Sequence, residues 1–297
     1  MPRTVSTPRR SRLFRVAAAF AVLAALAGYL AVQYVSGHKG APRCTVVSAD
    51  GGERTYELSP DQAANAATIS AVGTTRGLPE RAVTIALATA LQESALRNID
   101  HGDRDSLGLF QQRPSQGWGT PEQILDPVYS SGKFYEHLAE VPGYSRLPLT
   151  VAAQRVQKSG FPQAYAKHEP DATLLSAALT GRAPASLTCS SSTAAAPGPG
   201  DATEVRADLV RAFGKDVLPS AASAGAAAAS AVSVPVRGRD DASALRGWEL
   251  AHWAVARAGT LRIDEVSYAG RIWTADTGWR TERKESDAGS VRMRLAQ

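Results

Sequence analysis

A chain of 297 residues, 44% hydrophobic and 21% charged, is long enough for two small domains and too apolar to remain a disordered polymer. Two cysteines, Cys44 and Cys189, and five scattered histidines exclude a disulfide-dense mini-protein and a zinc ribbon, so no metal or other cofactor is expected. The net charge of +5 is accounted for by Arg3, Arg9, Arg10, Arg12 and Arg15; the remainder is balanced and shows no basic cluster, which excludes nucleic acid as a partner.

Behind this basic tail (residues 1–15) runs an uncharged segment, Val16 to Val35, made mostly of Ala, Val and Leu. At about 1.5 Å per residue it covers about 30 Å, so 16–35 is expected to be a single N-terminal transmembrane helix. The arginines on its near side predict a cytoplasmic N-terminus in the cell membrane and extracellular domains beyond residue 40. The alternative is a cleaved signal peptide, against which stand the length of the run and the absence of an Ala-x-Ala site in Ser36-Gly37-His38-Lys39-Gly40. Export permits an oxidised Cys44–Cys189 pair, bracketing a domain over 44–189.

Within that domain the punctuation is helical. Ser59-Pro60-Asp61-Gln62 reads as an N-cap, a proline at the first helical position and a capping-box glutamine, predicting a helix to about Val72. Pro79-Glu80 opens a second helix that is apolar nearly all round as far as Leu91, the mark of a buried central helix, with Gln92, Glu93 and Ser94 at its end. Shorter helices are expected near 121–125, 127–138, 150–158 and 171–179, with no strand among them. Residues 190–200, through Ala196-Pro197-Gly198-Pro199-Gly200, read as a flexible linker. A small α+β module is expected over 201–280: a helix carrying Val205, Leu209 and Phe213, a strand at Val232, Val234 and Val236, a helix over 242–258, and a hairpin about Ala269-Gly270. Residues 281–297 are expected to be a disordered tail. The fold class is therefore mainly α.

Glu93 carries the chemistry. A carboxylate at the end of an apolar helix loses hydration and faces the negative pole of the helix, and both effects keep it protonated, as a general acid requires. After it comes a polar loop and then Ser106-Leu107-Gly108-Leu109-Phe110-Gln111-Gln112. Together these residues resemble the lysozyme-like superfamily, and within it the soluble lytic transglycosylase domain, over roughly 58–182. Gly108-Leu109-Phe110-Gln111-Gln112-Arg113-Pro114 with Gly117-Trp118-Gly119 and Asp126-Pro127 resembles actinobacterial membrane-anchored homologues.

The resemblance implies a lysozyme-like all-α domain acting on peptidoglycan glycan strands. It casts Glu93 as the acid/base that cleaves between MurNAc and GlcNAc to leave a 1,6-anhydro end. Gln111 would contact sugar and Ser94 and Ser106 would support the site, while Phe110 and Trp118 could offer apolar faces, with a core role for Trp118 as the alternative. The family's Ala-Tyr-Asn-Ala-Gly motif is replaced here by Ala153-Gln154-Arg155-Val156-Gln157, leaving Gln154, Gln157 or Tyr165 as substitutes. An inverting hydrolase needs a second carboxylate, for which Asp103 and Asp105 are the candidates, the alternative for both being a turn or cap. His168 and Glu169 read as a helix boundary. In the last module Trp248, Trp253, Trp273 and Trp279 are either a glycan platform or a core. The competing functional expectation is a catalytically degenerate lysozyme-like membrane protein that binds cell-wall glycan or scaffolds an envelope complex.

Overall fold

The structure is a computed structural model that describes residues 10–36, 41–49, 54–190, 198–218, 230–237, 240–282 and 288–297. Most of the basic tail and of the 190–200 linker lies outside these residues. The first unit, residues 1–41, contains helix α1 (Arg10–Ser36). Among the described residues no helix is long and apolar enough to cross a membrane. This finding overturns the transmembrane helix expected at 16–35, and with it the single-pass placement in a cell membrane. The side chains described in α1 run from Phe14 to Tyr29, include Arg15 and Gly28, and are rich in alanine.

Residues 42–297 form one compact unit. It opens with β1 (Arg43–Val47) and β2 (Thr55–Leu58), which join β3 (Leu187–Ser190) in an antiparallel sheet of order β2-β1-β3. The expectation of an all-α domain over 44–189 is thereby corrected. These strands are too short to announce themselves by alternation, and the sheet closes only when the two ends of the segment meet. Cys44 lies opposite Cys189 in the β1–β3 register, and the two form a disulfide across 145 residues of sequence.

Between β2 and β3 lie α2 (Pro60–Thr75), α3 (Glu80–Ser94), α4 (Pro121–Ile124), α5 (Pro127–Ala139), α6 (Leu149–Gln157) and α7 (Glu169–Leu179). The capping box forms as the sequence predicts: Ser59 Oγ accepts from the Gln62 amide at 3.2 Å and Gln62 Oε1 accepts from the Ser59 amide at 2.8 Å. α3 is buried continuously from Ala82 to Leu91 and packs against α2, α5, α6 and α7, so its apolar circumference is spent on neighbours from every side.

The remaining elements are α8 (Ala202–Phe213), β4 (Ala231–Pro235), α9 (Asp241–Leu261), β5 (Ile263–Tyr268), β6 (Arg271–Thr274), β7 (Gly278–Thr281) and β8 (Ser290–Leu295). They build an antiparallel sheet of order β4-β8-β5-β6-β7. β8 is paired on both sides, correcting the expectation of a disordered tail from 281; its period-2 pattern of Val291, Met293 and Leu295 is fully buried. The β5–β6 hairpin turns at Ala269 and Gly270, both left-handed (φ 46° and 71°), as a two-residue turn between twisted strands demands.

α9 joins this sheet to the helices. It packs on α2 and α7, placing the His252 ring against the Ala178 carbonyl at 2.7 Å and the Glu249 carboxylate within hydrogen-bond reach of the Thr74 hydroxyl. Trp273 Nε1 donates to Thr188 Oγ1 at 3.0 Å and Trp279 Nε1 to the Leu187 carbonyl at 2.8 Å, tying the five-stranded sheet to β3. Trp248, Trp253 and Trp273 are buried, and Trp248 meets Tyr268 and Trp279 edge-on. Of the two readings of these tryptophans, the structure supports the core.

Candidate active site

The end of α3 carries two consecutive residues in an unfavoured backbone conformation. Ala95 and Leu96 are both left-handed (φ 53° and 59°), a conformation that costs an ordinary residue roughly 1–2 kcal/mol. Several contacts hold it. The Ala95 and Leu96 amides donate back to Leu91 and Ala90, while α2 reaches across with Gln62 Nε2 to the Ala95 carbonyl (2.7 Å) and Asn65 Nδ2 to the Leu96 carbonyl (2.9 Å). The chain is thus turned sharply away just after Glu93, and the acid is left at a helix end rather than within a run. Strain kept in place by surrounding contacts is the pattern of functional positions.

Glu93 itself is half-buried, neither sealed from solvent nor standing in bulk water. Burial pushes its carboxyl above the usual carboxylate range, opposed by donation from the Tyr165 hydroxyl and, more weakly, from the Gln157 amide. The Tyr165 hydroxyl donates to Glu93 Oε1 at 2.7 Å from a side chain with no exposed surface, and burial, reinforced by Glu93, raises the phenol so that it stays protonated. Gln157, at the end of α6, donates to the Phe110 carbonyl at 2.7 Å. Of the three residues that stood as substitutes for the missing motif, Tyr165 bonds the acid, whereas Gln157 bonds the Phe110 carbonyl and Gln154 turns to the Ser159 carbonyl at 2.8 Å.

The other expected residues fall into different roles. Ser94 is buried and donates to the Leu109 carbonyl at 2.8 Å, pinning the following loop to the end of α3. Phe110 is wholly buried and stacked on Phe134, with ring centroids 4.6 Å apart, so its side chain serves the core; only its carbonyl reaches the site. Ser106 is buried, with its amide bonded to the Asp103 carbonyl. A tight bridge between Leu107 and Gln112 presents Gln111 at its corner, with φ 48°. Gln111 Nε2 rests on the carbonyls of Gly108 and His101 at 3.3 and 3.4 Å. Gly102 makes room for it: a Cβ there would lie 1.9 Å from Gln111 Oε1.

Asp105 is committed elsewhere. It accepts from Arg113 Nε at 2.9 Å and from the Ser115 amide at 2.8 Å, and these two bonds hold its carboxyl far below the usual range. It braces the turn at 114–116 through these two bonds. Asp103 is exposed in the loop before Ser106. His168 and Glu169 do mark a boundary, a 3-10 turn running into α7; His168 bonds Gln92 at 3.2 Å and Glu169 pairs with Arg81 at 2.7 Å.

Trp118 is half-buried, its ring 4.4 Å from that of His137, and it lines a cavity of about 370 Å³ together with Gln157, Arg155 and Lys158. Sequence reasoning named Gln62 only as a capping residue and did not single out Asn65 or Gly102. Among the described residues no group of His, Cys, Asp and Glu has the arrangement of a metal site.

Residues 204–294 match the family described as VldE, C-terminal domain. The match spans most of α8, all of β4 to β7 and most of β8, and leaves out Glu93 and the residues around it. Comparison with curated proteins returned no match.

Proposed function

We propose that the chain is a peptidoglycan lytic transglycosylase-like enzyme in which Glu93 is the single acid/base. The observation that carries this reading is a half-buried carboxyl at a helix end, bonded to a buried tyrosine hydroxyl at 2.7 Å and with its pKa pushed above the usual carboxylate range by burial. A protonated carboxyl can deliver its proton to the oxygen between MurNAc and GlcNAc, turning a poor leaving group into a good one. The carboxylate so formed gains from the Tyr165 hydroxyl. It then accepts the proton of the MurNAc C6 hydroxyl as that oxygen bonds to C1, closing the 1,6-anhydro ring; the acid is regenerated and no water is consumed. The neighbouring acetamido group supplies the assistance that a second carboxylate gives in a hydrolase.

The commitment of Asp105 to Arg113 and Ser115 removes one of the two candidates for the second carboxylate that an inverting hydrolase needs to activate water, leaving only the exposed Asp103. The resemblance of the residues about Glu93 and Gln111 to the transglycosylase domain supports the same choice of substrate. The test is digestion of isolated peptidoglycan by the purified chain, with mass analysis of the released fragments. Anhydro ends are expected from the wild type and none from Glu93→Gln, which still sediments with the polymer. Release of reducing ends only, or undiminished release by Glu93→Gln, overturns the proposal, and sedimentation without any release by the wild type makes the protein a glycan binder.

A further inference from the structure

α9 carries two buried ionisable groups that the reaction at Glu93 does not use, Glu249 and His252. Glu249 is partnered on both oxygens, by the Thr74 hydroxyl of α2 and by Arg246 at 2.8 Å. His252 is partnered on one side only. Its ring has no exposed surface, and Nδ1 lies 2.7 Å from the Ala178 carbonyl of α7. A carbonyl only accepts, so Nδ1 holds the proton of the neutral ring and Nε2 keeps a bare lone pair. Nε2 is buried and has no partner among the described residues. The ring is flanked by the indoles of Trp248 and Trp279, with centroids 5.6 and 6.0 Å away.

A proton on Nε2 would place a charge and a second N–H where nothing receives either. Burial accordingly drives the imidazole down to about 4, against the opposing pull of the Ala178 carbonyl. The elements packed on α9 supply no counter-charge. α2 has Asp61 only in its first turn and meets α9 with Thr74; α7 has Glu169 and Asp171 in its first turn, whereas Ala178 is in its last; β3 has no titratable residue, since Cys189 is in the disulfide. β5 turns Glu265 to Arg294 of β8, exposes Asp264 and sets Tyr268 against Trp248, while Arg292 of β8 and Arg280 of β7 are exposed. On α9 itself Arg246 belongs to Glu249, and Arg257 to Asp208 of α8. The contact is also tight: just beyond α7, a Cβ on Gly181 would lie 1.9 Å from the Leu245 carbonyl of α9. The ring therefore reaches water only if α9 moves away from α7.

We propose that the α7–α9 contact at His252 is an acid-sensitive joint: a proton taken up at Nε2 parts α9 from α7 and loosens α2, whose Gln62 and Asn65 hold the turn after Glu93. The joint stands on its own geometry; its consequence for cleavage rests on the reading of Glu93 as the acid. Cleavage then has an alkaline limb set by Glu93 and an acid limb set by a residue that does not touch it. A base whose pKa falls on folding gives its whole contribution above the ordinary value of 6.5 and loses it as pH falls toward about 4. Relative to pH 7, the opening equilibrium rises about 20-fold at pH 5. Glu249, pushed up by burial, acts in the opposite sense and offsets part of this rise.

The test compares the full chain with His252→Asn, whose amide can still donate to the Ala178 carbonyl but takes up no proton, and with His252→Phe, which keeps a ring and has no donor. Urea midpoints and the release of anhydro fragments are both followed from pH 7 to pH 5. Either variant is expected to be less stable at pH 7 but to lose less on acidification, its unfolding constant rising about 20-fold less than that of the wild type at pH 5, because carboxylates common to all the proteins cancel. The fall persists and steepens in Glu249→Gln, which assigns it to the histidine. Fragment release by the wild type declines on the acid side, and His252→Asn flattens that decline. Parallel midpoints in wild type and variants, a fall that vanishes in Glu249→Gln, or an acid limb unchanged by His252→Asn overturns the proposal. If nothing is cut at any pH while the midpoints diverge, the reading of Glu93 fails and the joint stands; if fragments are released while the midpoints run parallel, the joint fails alone.

Discussion

Replacing Tyr165 by Phe removes one oxygen from a side chain with no exposed surface and leaves its packing intact. What is lost is the 2.7 Å bond to Glu93 Oε1. A hydrogen bond to a charged group contributes about 1.5–3 kcal/mol, and it acts on Glu93 most strongly once the proton has left for the glycosidic oxygen. At about 1.36 kcal/mol per decade, kcat should fall about 10- to 150-fold, with KM little changed. The pH profile gives a second readout. Tyr165 pulls the Glu93 pKa down against the larger upward push of burial, so its loss raises that pKa further. The active form is the protonated one; the alkaline limb, already above the usual carboxylate range in the wild type, should therefore move to higher pH as the plateau drops. The same sign governs stability. A carboxyl whose pKa is raised on folding gives its full contribution below its unfolded pKa and loses it as pH rises through the folded one, a window whose upper edge Tyr165→Phe moves to higher pH. The assay is release of anhydro fragments across pH, with unfolding followed in parallel. A plateau within twofold of wild type, or an alkaline limb that stays put or moves to lower pH, refutes the assignment of Tyr165 to the acid.

Three further outcomes follow from the packing. Reducing the Cys44–Cys189 disulfide, or replacing both cysteines by alanine, should cost about 4 to 5 kcal/mol in the chain-entropy model for a separation of 145 residues, seen as a lower urea midpoint; an unchanged midpoint counts against the model. Gly102→Ala puts a methyl 1.9 Å from Gln111 Oε1 and 2.8 Å from the Ser106 carbonyl, so activity should fall roughly ten- to a hundredfold and stability by about 1–2 kcal/mol, and retained activity would show that the position of Gln111 is immaterial. Gly181→Ala meets the Leu245 carbonyl at 1.9 Å from a left-handed backbone (φ 79°), and a loss of roughly 2–4 kcal/mol is expected in urea unfolding; a normal midpoint would mean that α7 and α9 can part without cost.

What the sequence disclosed divides along physical lines. α2, α3 and α5 were legible because their signals are local: Ser59 with Gln62, a proline at the first helical position, and an apolar run too long for a surface helix. The sheet β2-β1-β3 was not, because strands of four or five residues carry little pattern and their partners lie at opposite ends of a long segment. The span expected at 16–35 illustrates a different failure. It was read from the length of an uncharged, apolar run, but among the described residues no helix is long and apolar enough to cross a membrane. At the site, Glu93 could be found from its position after an apolar helix, whereas the roles of Phe110 and Asp105 could not. One stacks on Phe134 and the other on Arg113 and Ser115 only after folding, and nothing in the spacing distinguishes a sugar face from a core ring or a free carboxylate from a brace.

The position of the acid depends on parts of the chain far from it in sequence. Glu93 keeps its place because Ala95 and Leu96 are held left-handed by Gln62 and Asn65. Those two residues are carried by α2, and the face of α2 not spent on α3 is packed by α5, α8 and α9. α9 in turn is fastened by Thr74 to Glu249 and by His252 to Ala178, with its sheet tied to β3 through Trp273 and Trp279. Burial pushes the Glu249 carboxyl up, opposed by Arg246 at 2.8 Å, and drives the His252 imidazole down to about 4, so the histidine stays neutral at pH 7 within the interface it forms. The portion that matches the VldE C-terminal domain is thus the outer wall of the same core that sets the geometry at Glu93, and residues 42–297 have to be treated as one cooperative body in which loosening α9 loosens the support beneath the acid.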